Sequence, residues 1–262
     1  MRNPVVLART FALALGIGVT GPAVAAEASA VNPLLLKPVA QLQPDEIRFM
    51  QQRLADWPQL QRYRDANARL PPAVPGQPRV VFFGDSITEG WGREGSAAFF
   101  PGKGWLNRGI SGQTTAQMLV RFPQDVLALK PQVVVILAGT NDIAGNTGPA
   151  TQAMIEDNLH AMVDLARAHG IRVVLASVLP VSEYPWMPAI TPAPKVRALN
   201  SALKRYADAQ HLVYLDYYAP MANVAGGLDP PLAADGVHPT AKGYAVMAPL
   251  AEAAIRRAMA LE

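Results

Sequence analysis

The sequence predicts an α/β domain built on a parallel sheet, and three observations predict it. Short runs rich in Val, Ile and Leu lie at 79–83, 132–138, 172–177 and 212–215. They hardly alternate apolar with polar residues, which marks strands buried on both faces. Helix-like runs at 114–129, 150–169 and 195–209 lie between them, the long crossovers that parallel neighbours need, and a further one at 240–261 closes the chain.

The bulk numbers fit that reading. A chain of 262 residues, half of them hydrophobic, suits one large domain with a sizeable core. It has no cysteine, so it has no disulfide framework and no thiolate metal site. The formal charge is +3, but Arg2 and Arg9 lie in the first 26 residues, and without them 21 basic residues face 20 acidic ones. No Lys/Arg-rich block stands out, so a nucleic-acid partner is not expected.

Residues 1–26 read as a signal peptide. Arg2 and Arg9 form its basic start, 11–19 is a short apolar run, and Ala23-Val24-Ala25-Ala26 offers a small-residue cut site near Ala25/Ala26, with Glu27 opening the mature chain. The alternative is a buried or membrane helix. The run is too short to span a bilayer, and Gly16, Gly18, Gly21 and Pro22 break it. The expected location is therefore secreted or periplasmic. No later segment predicts a stable membrane anchor, and a lipid-modified cysteine is ruled out by composition. Residues 27–70 are expected to form an arm and helix packed on the core. The arm, read as extended, spans 27–43; Pro44-Asp45-Glu46 opens a helix with acidic residues in its first turn, and the helical pattern over 45–68 stops near Pro71-Pro72. Residues 71–262 form the main domain.

Ligand crevices of open α/β sheets lie beyond the carboxyl ends of the strands. The first strand ends in Gly84-Asp85-Ser86-Ile87-Thr88, which places Ser86 at that edge as a candidate nucleophile. A serine in a strand-to-helix turn also serves as a helix cap. Thr88 replaces the last glycine of a Gly-x-Ser-x-Gly elbow, which argues against the α/β-hydrolase fold. Gly109, in Asn107-Arg108-Gly109, can present a backbone N–H or serve as a plain turn glycine. After the second strand-like run, Gly139-Thr140-Asn141-Asp142 places the Asn141 amide at the same edge, as an oxyanion donor or an Asx-turn residue.

The third strand-like run leads into 180–194, a stretch with five prolines that carries Tyr184 and Trp186. Stiff backbone and aromatic surface suit a wall that binds sugar or acyl groups, and equally an aromatic pin that holds the loop down. Near the end, Asp235-Gly236-Val237-His238 pairs a carboxylate with an imidazole, the base and orienter that a nucleophilic serine needs. His160, His169 and His211 have structural readings, and no two histidines lie at metal-ligand spacing. Gly102-Lys103-Gly104 matches neither a P-loop nor a dinucleotide fingerprint.

These motifs, in this order, resemble those of the SGNH hydrolases, also called GDSL-type esterases and lipases. The resemblance covers about 79–260, and Ile87 stands where the family name has Leu. It implies a flavodoxin-like three-layer α/β/α sandwich with about five parallel strands. It also implies ester hydrolysis without metal or organic cofactor. Ser86, His238 and Asp235 would be catalytic, and the Ser86 N–H, the Gly109 N–H and the Asn141 amide would form the oxyanion hole. The expected function is a secreted esterase of short acyl groups, acetyl foremost, on a small-molecule or glycan ester, because no long apolar groove is evident. A lysophospholipase or thioesterase is the same-class alternative. A non-catalytic glycan-binding module is the different-class one.

Overall fold

A computed structural model describes residues 33–73 and 76–261. The signal-peptide segment lies outside them, as does the arm up to residue 32. Five strands form one parallel sheet in the order β2-β1-β3-β4-β5. They are β1 (Val80–Gly84), β2 (Leu106–Gly109), β3 (Val133–Leu137), β4 (Arg172–Ala176) and β5 (Val213–Leu215). The order reverses between β1 and β3, as in flavodoxin-like folds, and a crevice opens at that point.

The helices follow in chain order as α1 (Pro33–Leu36), α2 (Pro44–Ala55), α3 (Arg64–Ala68), α4 (Ser86–Gly90) and α5 (Thr115–Asp125). They continue as α6 (Thr140–Ile143), α7 (Gln152–Ala168), α8 (Pro192–Ala209), α9 (Tyr218–Met221) and α10 (Ala241–Ala260). Alternate strand side chains feed two separate cores. Val81, Phe83, Val134, Ile136, Val173 and Leu175 pack with α5, α7 and α8. Val80, Phe82, Val133, Val135 and Val174 pack with α10 and the start of α4. Strands β1, β3 and β4 are thus covered on both faces, which is why their sequences do not alternate. The result is a three-layer α/β/α sandwich.

Four local expectations need correction. The edge strand β2 was not among the strand-like runs, because Leu106-Asn107-Arg108-Gly109 is short, polar and paired on one side only. The 45–68 pattern is two helices. Pro58 interrupts it, Gln59 turns back at φ 56, and the Asp56 carboxylate accepts the Leu60 and Gln61 N–H groups at 2.8 and 3.0 Å. The arm is not wholly extended, since it contains α1 and a 3-10 turn at Val39–Gln41. Helix α8 starts at Pro192, not 195, because prolines fit the first turn, where no N–H partner is lost.

Residues 56–70 dock on the core through hydrogen bonds. The side-chain amides of Gln117, Gln113 and Gln124 donate to the carbonyls of Trp57, Pro58 and Leu60 at 2.6, 2.8 and 2.7 Å. Helix α2 itself buries no residue.

Candidate active site

Ser86 is the first residue of α4, directly beyond β1, and Asp85 caps that helix by accepting the Ile87 N–H at 2.9 Å. Half-buried Ser86 thus has its hydroxyl at the carboxyl edge of the sheet. His238 Nε2 lies 2.9 Å from Ser86 Oγ. His238 Nδ1 lies 2.6 Å from Asp235 Oδ2. The other Asp235 oxygen accepts the Val237 and His238 N–H groups at 3.0 and 2.8 Å, so the turn holds the carboxylate still. Partial burial pushes the Asp235 carboxyl up, but the bonds from His238 and Val237 outweigh it and hold it below its ordinary range. A carboxylate that stays ionised favours Nδ1 as the protonated nitrogen, which leaves Nε2 as the acceptor of the Ser86 hydroxyl hydrogen bond.

Asn141 lies in the first turn of α6, beyond β3, and is 3 % exposed. Its Nδ2 donates to the Gln113 carbonyl at 3.0 Å, and its Oδ1 accepts from Asn146 Nδ2 at 2.7 Å. These bonds fix the amide orientation and use one of its two hydrogens.

Gly109 does not join this group. Its N–H is spent on Asn107 Oδ1 at 2.9 Å, and it does not line the cleft. A Cβ at Gly109 would stand 2.1 Å from the Glu89 nitrogen, so its role is to let β2 approach α4. Gly112 lines the cleft instead, with φ +76, and its carbonyl accepts from Asn146 Nδ2 at 3.3 Å. Neither the Gly112 N–H nor the Ser86 N–H donates to a described residue. Asn107-Arg108-Gly109-Ile110-Ser111-Gly112 holds two glycines, and only the path of the chain beyond β2 shows which one faces Ser86.

Tyr184 is likewise displaced. It is fully buried, and its hydroxyl bonds the Thr140 carbonyl and hydroxyl, each at 2.9 Å. It supports α6 from behind. Trp186 is 39 % exposed and lines the cleft, its ring 6.2 Å from the His238 imidazole, with Nε1 donating to Asn146 Oδ1 at 3.3 Å.

The cleft has a volume of about 550 Å³. Its far wall is the N-terminal segment, through Phe49, Met50, Arg53, Leu54 and Trp57. Sequence reasoning missed this wall and read no apolar groove. The available signal was the apolar spacing of Met50, Leu54 and Trp57 on a helix ahead of the first strand.

Three buried charged residues below the cleft were also missed. Arg121, wholly buried, donates to the Gly84 and Arg108 carbonyls at 2.9 Å each and to Asp125 at 3.1 Å, tying together the ends of β1 and β2. Burial brings its guanidinium down to about 10 against the opposing pull of Asp125. Asp142 accepts the Thr115 N–H and hydroxyl, joining α5 to α6, and burial raises its carboxyl to about 6. Asp85 is raised to about 6 by the same cause. Among the described residues, no three His, Asp or Glu side chains gather in a metal-binding group, and no helix is long and apolar enough to cross a membrane.

Comparison with known proteins agrees with this fold. A chain from Bacteroides fragilis of known crystal structure is 46% identical, with a TM-score of 0.74 over 77% of this chain and 98% of that one. A GDSL-like lipase from Bacteroides thetaiotaomicron is 44% identical, with a TM-score of 0.74 over 77% of this chain and 99% of that one. Esterase TesA of Pseudomonas aeruginosa is 30% identical over 135 residues, 51% of this chain and 60% of that one. The chain spans 51% to 60% of the length of the curated relatives it matches. A family model matches residues 82–246, which carry Ser86, Gly112, Asn141, Asp235 and His238. The chain belongs to the GDSL-like lipase/acylhydrolase family.

Proposed function

We propose that the protein is a serine ester hydrolase in which Ser86 is the nucleophile, His238 the general base and Asp235 its orienting carboxylate. The observation that carries this reading is the continuous relay from Asp235 through His238 to Ser86, at 2.6 and 2.9 Å. His238 Nε2 takes the Ser86 proton as Oγ bonds to the ester carbonyl carbon. The carbonyl oxygen becomes an oxyanion, held by the Ser86 N–H, the Gly112 N–H and the uncommitted Asn141 hydrogen. As the tetrahedral intermediate collapses, the alcohol leaves with the proton from His238 and the acyl group stays on Ser86. Water then gives a proton to His238, attacks the acyl-serine and releases the acid, returning the proton to Ser86.

The substrate class is a short acyl ester, acetyl included, on a small molecule or glycan. The apolar wall of Phe49, Met50, Leu54 and Trp57 favours a second reading, in which longer acyl chains such as those of lysophospholipids also fit. The reading of residues 1–26 as a signal peptide supports action outside the cytoplasm.

Labelling with a fluorophosphonate, followed by peptide mapping, tests the nucleophile. The label is expected on Ser86 and absent from Ser86→Ala, whose turnover falls by several orders of magnitude. His238→Ala is expected to cost about as much as Ser86→Ala, and the double variant little more, because the two act as one unit. Retained labelling of Ser86→Ala, or losses that multiply in the double variant, would refute the assignment. A 4-nitrophenyl ester series from acetate to laurate separates the two substrate readings.

A further inference from the structure

Arg53 is the single permanently charged side chain among the described residues lining the cleft, and no carboxylate lines it. From α2 it reaches across the opening, so that a Cβ on Gly112 would stand 3.6 Å from its Nη2. Its guanidinium also lies over the Phe49 ring, 5.2 Å from the centroid, which orients it. By contrast, Arg62 and Arg93 both pair with Glu89, at 2.9 and 2.6 Å, and Lys37 pairs with Glu46. Arg53 makes no ion pair with a described Asp or Glu. Half-buried Arg53 shares the cleft lining with Met50, Leu54 and Trp57, where its charge has less water around it than on an open surface and no counter-ion among the described residues.

We propose that Arg53 is the recognition site for an anionic group carried by the substrate, so that this hydrolase selects esters bearing a carboxylate or phosphate within a few bonds of the scissile carbonyl. The proposal rests on the ester-hydrolase reading above. The planar fork of a guanidinium matches the paired oxygens of either anion. The apolar neighbours lower the local dielectric, which strengthens the pair relative to one in open water. The unopposed positive charge also attracts an anionic ester toward the cleft before contact.

The test uses two pairs of esters that differ in one charge. For an anion on the acyl side, 4-nitrophenyl hydrogen adipate is compared with 4-nitrophenyl hexanoate. For an anion on the alcohol side, 1-acetylglycerol 3-phosphate is compared with 1-acetylglycerol. In at least one pair, Arg53→Gln is expected to lower kcat/KM for the anionic ester about 10- to 100-fold more than for its neutral partner, mainly through KM. Arg53→Lys should retain much of the preference, and Arg53→Glu should depress the anionic ester further. Rising salt should weaken the anionic ester alone, and only while Arg53 is present. The responding pair shows whether the anion sits on the acid or the alcohol. If Arg53→Gln slows both members of both pairs by one common factor, Arg53 supports the oxyanion or the helix instead, and the proposal falls. Fluorophosphonate labelling of the same preparations keeps the two readings apart. A protein that labels at Ser86 and cleaves the neutral esters, yet whose charge preference ignores Arg53, refutes the anion site alone. A protein that neither labels nor cleaves any ester refutes the hydrolase reading and this one with it.

Discussion

Asn141→Ala separates the proposed oxyanion donor from a loop-holding amide, because the loop bonds use Oδ1 and one Nδ2 hydrogen and leave the other hydrogen for the oxyanion. Deleting the amide leaves the Gln113 carbonyl without the 3.0 Å donor and Asn146 Nδ2 without the 2.7 Å acceptor. Asn146 retains a bond to the Gly112 carbonyl at 3.3 Å, so the group most exposed to loss is the Gln113 carbonyl. Leaving one buried polar group unsatisfied costs about 1–3 kcal/mol. For a domain of this size each kcal/mol moves the melting temperature by roughly 2–4 °C, so a fall of about 2–12 °C is expected. The effect on the reaction should be larger. Removing one preorganised oxyanion donor costs about 10²–10³ in turnover, or roughly 2.7–4 kcal/mol. The assay is the steady-state rate on 4-nitrophenyl acetate well below the melting transition, beside a thermal melt by circular dichroism. The loss should fall on kcat and leave KM nearly unchanged, because the oxyanion exists only in the transition state. A variant that melts lower but keeps its kcat, or that changes KM alone, would show that Asn141 only holds the loop.

Gly109→Ala is expected to lower the melting temperature sharply, because the new Cβ would stand 2.1 Å from the Glu89 backbone nitrogen; overpacking of this kind costs about 1–3 kcal/mol or more. A wild-type melt would return Gly109 to consideration as a free turn residue. Asp142 binds its proton more tightly folded, at about 6, than at its ordinary 3.8, so its contribution to stability falls as pH rises from about 4 to about 6. Asp142→Asn should flatten that part of the stability–pH curve in urea melts at pH 4, 5, 6 and 7; an unchanged slope would contradict the buried titration. Trp186→Ala should alter relative rates across the 4-nitrophenyl ester series more than it alters stability, since Trp186 is 39 % exposed and faces the cleft. A large drop in melting temperature with one common rate factor would mark it as packing.

Part of this site is legible in the sequence for a physical reason. Parallel strands buried on both faces announce themselves as uninterrupted Val/Ile runs, so the ends of β1 and β3 can be found, and with them Ser86 and Asn141. Asp235 and His238 are three residues apart, so their pairing is a local property of one turn. The rest depends on partners distant in sequence. Gly109 and Gly112 lie in one short stretch, and the Asn107 side chain decides between them by occupying the Gly109 N–H. Tyr184 and Trp186 are two positions apart, yet one is fully buried under α6 and the other faces the cleft. The sequence marks both as aromatic surface in a stiff loop and cannot orient them. Arg121, Asp142 and Asp85 read as ordinary charged residues until burial makes them struts.

The far wall follows the same logic and carries a consequence for selectivity. The proposed reacting groups come from helix starts and loops at the carboxyl edge of the sheet, tied down by Arg121 and by the Asp142 bonds to Thr115. Phe49, Met50, Arg53 and Leu54 come instead from α2, which buries no residue of its own. Its connection to the core is the stretch beginning at Asp56, where Gln117 and Gln124 of α5, and Gln113 just ahead of it, donate to the carbonyls of Trp57, Leu60 and Pro58. Little apolar burial opposes displacement of α2, so its sequence can change at small cost to folding, and a change there alters what the cleft accepts. On the proposed reading, the chemistry of the site rests with the sheet, whose packing penalises change, while part of the choice of ester rests with a helix that buries no residue of its own.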